Sequence, residues 1–312
     1  MSFQAIEYQM IVLFLAMALG FVARKLHVMS EESDKMLSRL VLTITLPCTI
    51  LASVLTRDSL PDPATIGTIL LFSCLAFALV LAIAFAVPLL FGLNPSKRGT
   101  YSFMLAFGNT GFLGYPVLEA VFGREAVLYG AIFNIPFNIL VFTAGVMMLS
   151  QSERSLKEQV REGARNLISP SLIACLATMA LALLNVTDIG VFGEAIDTMG
   201  SMTTPAALLI IGSSLATVPV KTMVTHFRTY IMAAFRLLII PVCIWLAFSP
   251  FVADPLLLGV LVVVNGMPVA TNGTILCLRY GGDLNTIIRG TFVTTALSLV
   301  TIPVLAALVG GV

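Results

Sequence analysis

The sequence predicts an all-α polytopic membrane protein of ten transmembrane helices, arranged as two five-helix halves of opposite orientation. Three observations carry that prediction. Of 312 residues, 58% are hydrophobic and only 11% charged, against about a quarter charged in ordinary soluble domains, and mean hydropathy is +1.02. The apolar residues fall into runs of about 20, the length that crosses a hydrocarbon core, separated by short polar breaks. The basic residues lie almost entirely on alternate breaks, as the positive-inside rule requires.

Helix α1 is expected over Ala5–Ala23. Its apolar run begins behind Glu7 with no basic leader, and Arg24 and Lys25 follow it, the reverse of a secretory signal. It is therefore read as an uncleaved first span. Next come α2 over Asp34–Thr56, α3 over Ala64–Phe91, α4 over Ser96–Phe122 and α5 over Arg124–Ser150. A charged linker, 151–166, closes the first half, 1–150. The second half, 167–312, holds α6 over Leu167–Val186, α7 over Ala195–Thr217, α8 over Phe227–Ser249, α9 over Asp254–Tyr280 and α10 over Leu284–Leu308. Of 17 Lys and Arg residues, only Arg57 and Arg124 lie outside the odd-numbered connections and their helix ends. This asymmetry puts the odd connections in the cytoplasm and both termini outside it, and demands an even number of spans.

Composition also excludes several function classes. A net charge of +1 with basic residues in short clusters gives no nucleic-acid surface. The five cysteines are odd in number, widely spaced and embedded in apolar runs, so they read as packing residues and imply neither disulfides nor a metal centre. His27 and His226 fall in or beside polar connections, where solvation accounts for them. No paired carboxylates or buried histidine offer an intramembrane enzyme its machinery, and the loops are too short for a sensor domain. No cofactor is implied. No repeated filter sequence suggests a channel.

Five spans per half invert the second half relative to the first, as in many secondary transporters. Weak internal symmetry agrees: Leu46-Pro47-Cys48-Thr49 in α2 resembles Thr204-Pro205-Ala206-Ala207 in α7, and Pro88 in α3 corresponds to Pro241 in α8. The fourth span of each half is the most informative. Helix α4 contains Gly108-Asn109-Thr110-Gly111-Phe112-Leu113-Gly114-Tyr115-Pro116, and α9 contains Asn265-Gly266-Met267-Pro268-Val269-Ala270-Thr271-Asn272-Gly273. Glycines remove steric definition and proline removes a backbone donor, so both helices are expected to break near the bilayer midplane.

A break at that depth is tolerated only where protein or a watery cavity satisfies the freed backbone groups; a bound substrate is the expected partner. Half-helices starting near Pro116 and Thr271 would point two positive N-terminal ends into one space, which favours an anion. Asn109 and Asn272 supply amides there, and Thr110 and Thr271 hydroxyls; Gly111, Pro268 and Pro47 complete the candidate set. Capping of the broken ends is the alternative reading of the asparagines, the less favoured one, and it can coexist with substrate contact. Asn134 and Asn138, four apart on α5, share a face and are either a wall of the site or interhelical glue. Glu119 is the candidate for proton or sodium coupling, although α4 runs outward and carries it toward the external interface. Arg236 lies about 12 Å into α8 at 1.5 Å per residue, deep enough to attract an anion and shallow enough to snorkel; snorkelling is the preferred reading.

The segments Gly108–Gly123 and Met267–Asp283, with Leu46-Pro47, resemble the auxin efflux carrier family, which includes the plant PIN-type exporters and many bacterial permeases, and the resemblance covers nearly the whole chain. It implies a fold similar to the bile acid sodium symporters, with α4 and α9 crossing at their breaks and a scaffold of α1, α2, α6 and α7 against a moving core of α3–α5 and α8–α10. It implies a small carboxylate cargo contacted by Asn109 and Asn272, moved by alternating access, and a homodimer formed through scaffold helices. The short linker and the departures from the plant pattern at Gly108 and Gly111 point to a bacterial member of the inner membrane carrying a dicarboxylate such as malate or malonate, with an auxin-like acid less favoured. Ion-coupled symport of another amphipathic acid remains the alternative.

Overall fold

A computed structural model describes residues 3–55, 60–150, 169–217 and 226–310. Arg57, Lys221 and the linker at 151–166 lie outside the described residues. What is described is helical almost throughout, and the one extended pairing is a single antiparallel bridge between Gly108 and Val269. Seven helices are long and apolar enough to cross a membrane, and Pro170–Leu183 and Pro255–Asn265 are shorter apolar helices.

Helix α1 spans Phe3–Lys25 and α2 spans Glu31–Leu55. The start of α2 is fixed by a capping box, Ser30 and Ser33 each bonding the other's backbone amide, which satisfies donors that an open helix end leaves free. Helix α3 (Pro63–Leu90), the first piece of α4 (Pro95–Ala106), α6 (Pro170–Leu183) and the first piece of α9 (Pro255–Asn265) all begin with proline. There the missing N–H costs nothing and the fixed φ suits helix entry. Asp62, Ser169 and Asp254 cap three of these starts through their side chains.

Prolines inside the spans act differently. Single π turns at Val41–Thr45, Thr110–Gly114 and Phe235–Ile239 each end two residues before a proline: Pro47, Pro116 and Pro241. A proline ring clashes with the carbonyl four residues back and offers it no donor; widening the preceding turn relieves the clash while the chain stays helical. At Pro205 the solution is a turn at residues 201–202 that divides α7 into Val191–Gly200 and Thr203–Thr217. Helix α5 runs Arg124–Phe142 and, past a turn at Thr143, Ala144–Leu149. Helix α8 covers Phe227–Phe248, and α10 covers Leu284–Gly310.

Helices α1 and α7 approach until backbones touch. A Cβ on Gly212 would stand 1.9 Å from the Met17 carbonyl oxygen, and one on Gly20 would stand 2.3 Å from that of Leu209. Small residues permit such contact where lipid gives no hydrophobic drive for association. Polar glue adds to it: Thr49 Oγ1 of α2 donates to the Gly200 carbonyl at 2.8 Å and lies 2.7 Å from Thr203 Oγ1 of α7, and Thr178 of α6 donates to the Ile50 carbonyl at 3.1 Å. Thus α2, α6 and α7 are tied to one another by hydroxyls beside the prolines of α2 and α7.

Candidate functional site at the crossing of two broken helices

Both expected breaks exist. Helix α4 ends its first piece at Ala106 and resumes at Thr110, and α9 stops at Asn265 and resumes at Asn272. The second piece of α4 therefore begins six residues before Pro116. Pro116 is not at the break, because its clash is absorbed by the π turn. The unwound segments cross and pair: the Asn109 amide donates to the Pro268 carbonyl at 2.7 Å, and the Ala270 amide to the Phe107 carbonyl at 3.1 Å. Backbone groups expected to await a substrate are thus in part satisfied by each other.

The C-terminal ends of the two first pieces are held by Arg236. Its Nε donates to the Met267 carbonyl at 2.9 Å and its Nη1 to the Leu105 carbonyl at 2.9 Å, with Ala106 at 3.5 Å. The side chain is 1% exposed. Arg236 therefore does not snorkel. The π turn before Pro241 carries it, and its planar fork bridges two helix ends, where a cation meets the negative pole of each dipole. Gly108 leaves room for it, since a Cβ there would lie 1.9 Å from Nη2.

The N-terminal ends of the second pieces face the opposite way, onto a cavity of about 100 Å³. Asn109, Thr110, Gly111, Thr271, Asn272, Asn134 and Asn138 all line it, with Leu42 and Leu46 of α2 and Ser171 of α6. The second α9 piece starts without a side-chain cap; its Gly273 and Thr274 amides bond back to the Ala270 and Thr271 carbonyls at 3.0 and 3.4 Å. Asn109 Oδ1 accepts the Phe112 amide at 3.2 Å, which orients the side chain and leaves its buried Nδ2 without a partner among the described residues. Asn272 Oδ1 is likewise buried and unpartnered. Thr110 Oγ1 donates to Asn134 Oδ1 at 2.6 Å, and Asn138 Nδ2 donates to the Asn134 carbonyl at 2.6 Å. Asn134 is thus both wall and glue. None of the described residues lining the cavity is charged; Arg236 stands directly behind Gly108.

The remaining candidates lie outside this cavity. Pro268 belongs to the crossing through its carbonyl, while Pro47 and Pro116 shape π turns and do not line the space. Glu119 sits in a separate cleft with Arg124, Asp197, Ser201 and Thr204. There its Oε2 is 3.5 Å from Thr204 Oγ1, its Oε1 is 3.8 Å from Arg124 Nε, and Arg124 Nη1 pairs with Asp197 Oδ1 at 2.9 Å. Sequence reasoning missed Ser171, Phe112, Tyr115 and Phe137 in the cavity wall. Phe112 and Tyr115 stood inside the motif already singled out. Ser171 carried no signal, because only packing brings α6 to the site.

A helical bundle with two interrupted spans crossing beside an amide-lined cavity is a polytopic membrane protein with a candidate solute site between its helices. The chain matches the family described as membrane transport protein over residues 5–306 and belongs to it; it is an integral membrane transporter and not an enzyme. It is 27% identical over 304 residues to an uncharacterized transporter of Methanocaldococcus jannaschii, covering 94% of this chain and 95% of that one. A protein of Rhizobium meliloti, provisionally named a malonate transporter, is 28% identical over 229 residues, covering 72% of this chain and 71% of its own length.

Proposed function

We propose that the protein is a secondary carrier of a small organic anion, a dicarboxylate of malonate or malate size, bound where α4 and α9 cross. The observation that carries this reading is the convergence of two helix N-terminal ends, with the side chains of Asn109 and Asn272, on one cavity; the Asn109 Nδ2, a donor, is without a partner among the described residues. Helix N-termini and amide donors stabilise a carboxylate without a counter-charge that would hold it too tightly to release. The cavity is small, about 100 Å³, and favours a small acid such as malonate over a bulky indole acid. The relative named for malonate supports the same class.

The cavity lies between α2 and α6 on one side and α4, α5 and α9 on the other, so motion of a core (α3–α5, α8–α10) against a scaffold (α1, α2, α6, α7) would open it to either face. We read the halves 1–150 and 167–312 as inverted repeats joined by 151–166. The basic connections then face the cytoplasm, the termini face outward, and a dimer would form through the scaffold. Glu119 remains the candidate for ion coupling; its cleft is separate from the cavity, so coupling there would act through movement of the second piece of α4.

The test is binding of malonate, malate, acetate and a cationic control to purified protein by thermal shift, repeated on Asn109→Ala and Asn272→Ala. The expected result is stabilisation by dicarboxylates that either substitution weakens by tenfold or more. Stabilisation by the cation, or unchanged malonate affinity in both variants, refutes the site.

A further inference from the structure

A further polar cavity, sharing no lining residue with that at the crossing, lies where the N-terminal ends of α4, α8 and α10 meet. It is lined by Lys97, Arg228, Arg289, His226, Tyr101 and Thr286, among others, and measures about 400 Å³. Lys97 is paired with Asp283 at 3.3 Å, the one carboxylate at its margin. Neither Arg228 nor Arg289 forms an ion pair or hydrogen bond with any described residue. The first pieces of α4 and α8 begin beneath Asn94 and His226, neither of which supplies a side-chain cap. Two guanidiniums without a partner among the described residues, with uncapped helix starts beside them, make an anion site.

An apolar cleft of about 250 Å³ adjoins it. Val87, Pro88, Leu105, Ile231 and Met232 line this cleft, and it shares Leu93, Tyr101, Phe227 and Arg228 with the basic cavity. The wall is thus continuous, cationic at one end and aliphatic at the other. Phe227 at the junction is 78% exposed, as an aromatic residue at the headgroup level is. A soluble anion would use only the basic end. A molecule with a phosphate and an acyl chain fits both.

We propose that this cleft is a binding site for an anionic phospholipid of the surrounding bilayer, its phosphate against Arg228, Arg289 and Lys97 and one chain along α3 and α8. It lies on the side that carries most basic residues, where basic pockets between spans hold lipid headgroups. Because its walls belong to α3, α4, α8 and α10, an occupant would brace these helices against one another.

The experiment uses the full chain in detergent. Native mass spectrometry and thermal shift follow titration with dioleoylphosphatidylglycerol, dioleoylphosphatidylcholine or inorganic phosphate, on the parent, Arg228→Gln/Arg289→Gln and Ile231→Trp. The parent is expected to retain one phosphatidylglycerol at least tenfold more tightly than phosphatidylcholine. The arginine variant should lose about thirtyfold in affinity, at roughly one basic contact each. Filling the cleft with Ile231→Trp should lower lipid retention while malonate binding persists. Equal retention of the two lipids, or no change in either variant, overturns the proposal. Stabilisation by phosphate equal to that by phosphatidylglycerol also overturns it and marks a soluble-anion site.

Discussion

Replacing Arg236 with methionine should unlatch the crossing. The side chain is buried and bridges two helix ends through bonds of 2.9 Å to Met267 and Leu105, with a longer contact of 3.5 Å to Ala106. Hydrogen bonds from a charged donor contribute about 1.5–3 kcal/mol each. Two good ones give about 3–6 kcal/mol, and the orphaned carbonyls have no water to turn to. Methionine restores volume but no donor, so the loss should stand nearly undiminished. Lysine keeps the charge at a single point and cannot fork across both ends, so Arg236→Lys should fall between. Gly108→Ala attacks the same contact from the other side, its Cβ meeting Nη2 at 1.9 Å, and should couple non-additively with Arg236→Met. The assay is unfolding in mixed detergent micelles, read by circular dichroism. An Arg236→Met protein as stable as the parent, or strict additivity with Gly108→Ala, would refute the latch.

Three further outcomes follow from other contacts. Thr110→Val strips the donor from Asn134 Oδ1, a buried bond of 2.6 Å, and should cost about 1–3 kcal/mol and reduce anion binding, while Thr110→Ser should restore both in the same titrations. Gly212→Ala drives a methyl into the Met17 backbone, whereas a Cβ on Gly67 meets nothing within 4 Å; overpacking of about 1–3 kcal/mol should appear at Gly212 alone when melting temperatures are compared. Burial pushes the Asp283 carboxyl up, but the Thr286 amide and Lys97 pull it down further, leaving it below its ordinary value. A depressed carboxyl stabilises the fold above its unfolded value of about 3.9 and loses that contribution as pH falls through the folded value. Asp283→Asn should therefore destabilise at pH 6, with the gap to the parent narrowing as pH falls below about 3.9; a gap that stays constant into acid would exclude the charge as its cause.

Much of the candidate site was legible because glycine and proline act locally. The Gly108–Pro116 and Asn265–Gly273 segments announced broken helices through lost donors and lost sterics, and the breaks lie within those segments. The break in α4 falls before Thr110, not at Pro116, because a single π turn can absorb a proline clash, and nothing in the sequence chooses between widening a turn and breaking it. Pro205 met the same problem with a turn at 201–202. Arg236 was misread for a related reason: depth along a helix was known, but not which side of α8 faced the protein.

The sequence by itself determined that this chain lives in a bilayer, how its apolar runs divide, where two spans must fail as helices, and which amides stand at the failures. These follow from composition, run length and local backbone chemistry. Only the tertiary structure decided what answers the freed backbone groups. Asn109 and Ala270 donate across the crossing to Pro268 and Phe107, and Arg236 takes the carbonyl ends, so that positive helix ends alone are left facing the cavity. Partners this far apart in the chain are chosen by packing, and packing has no local signature.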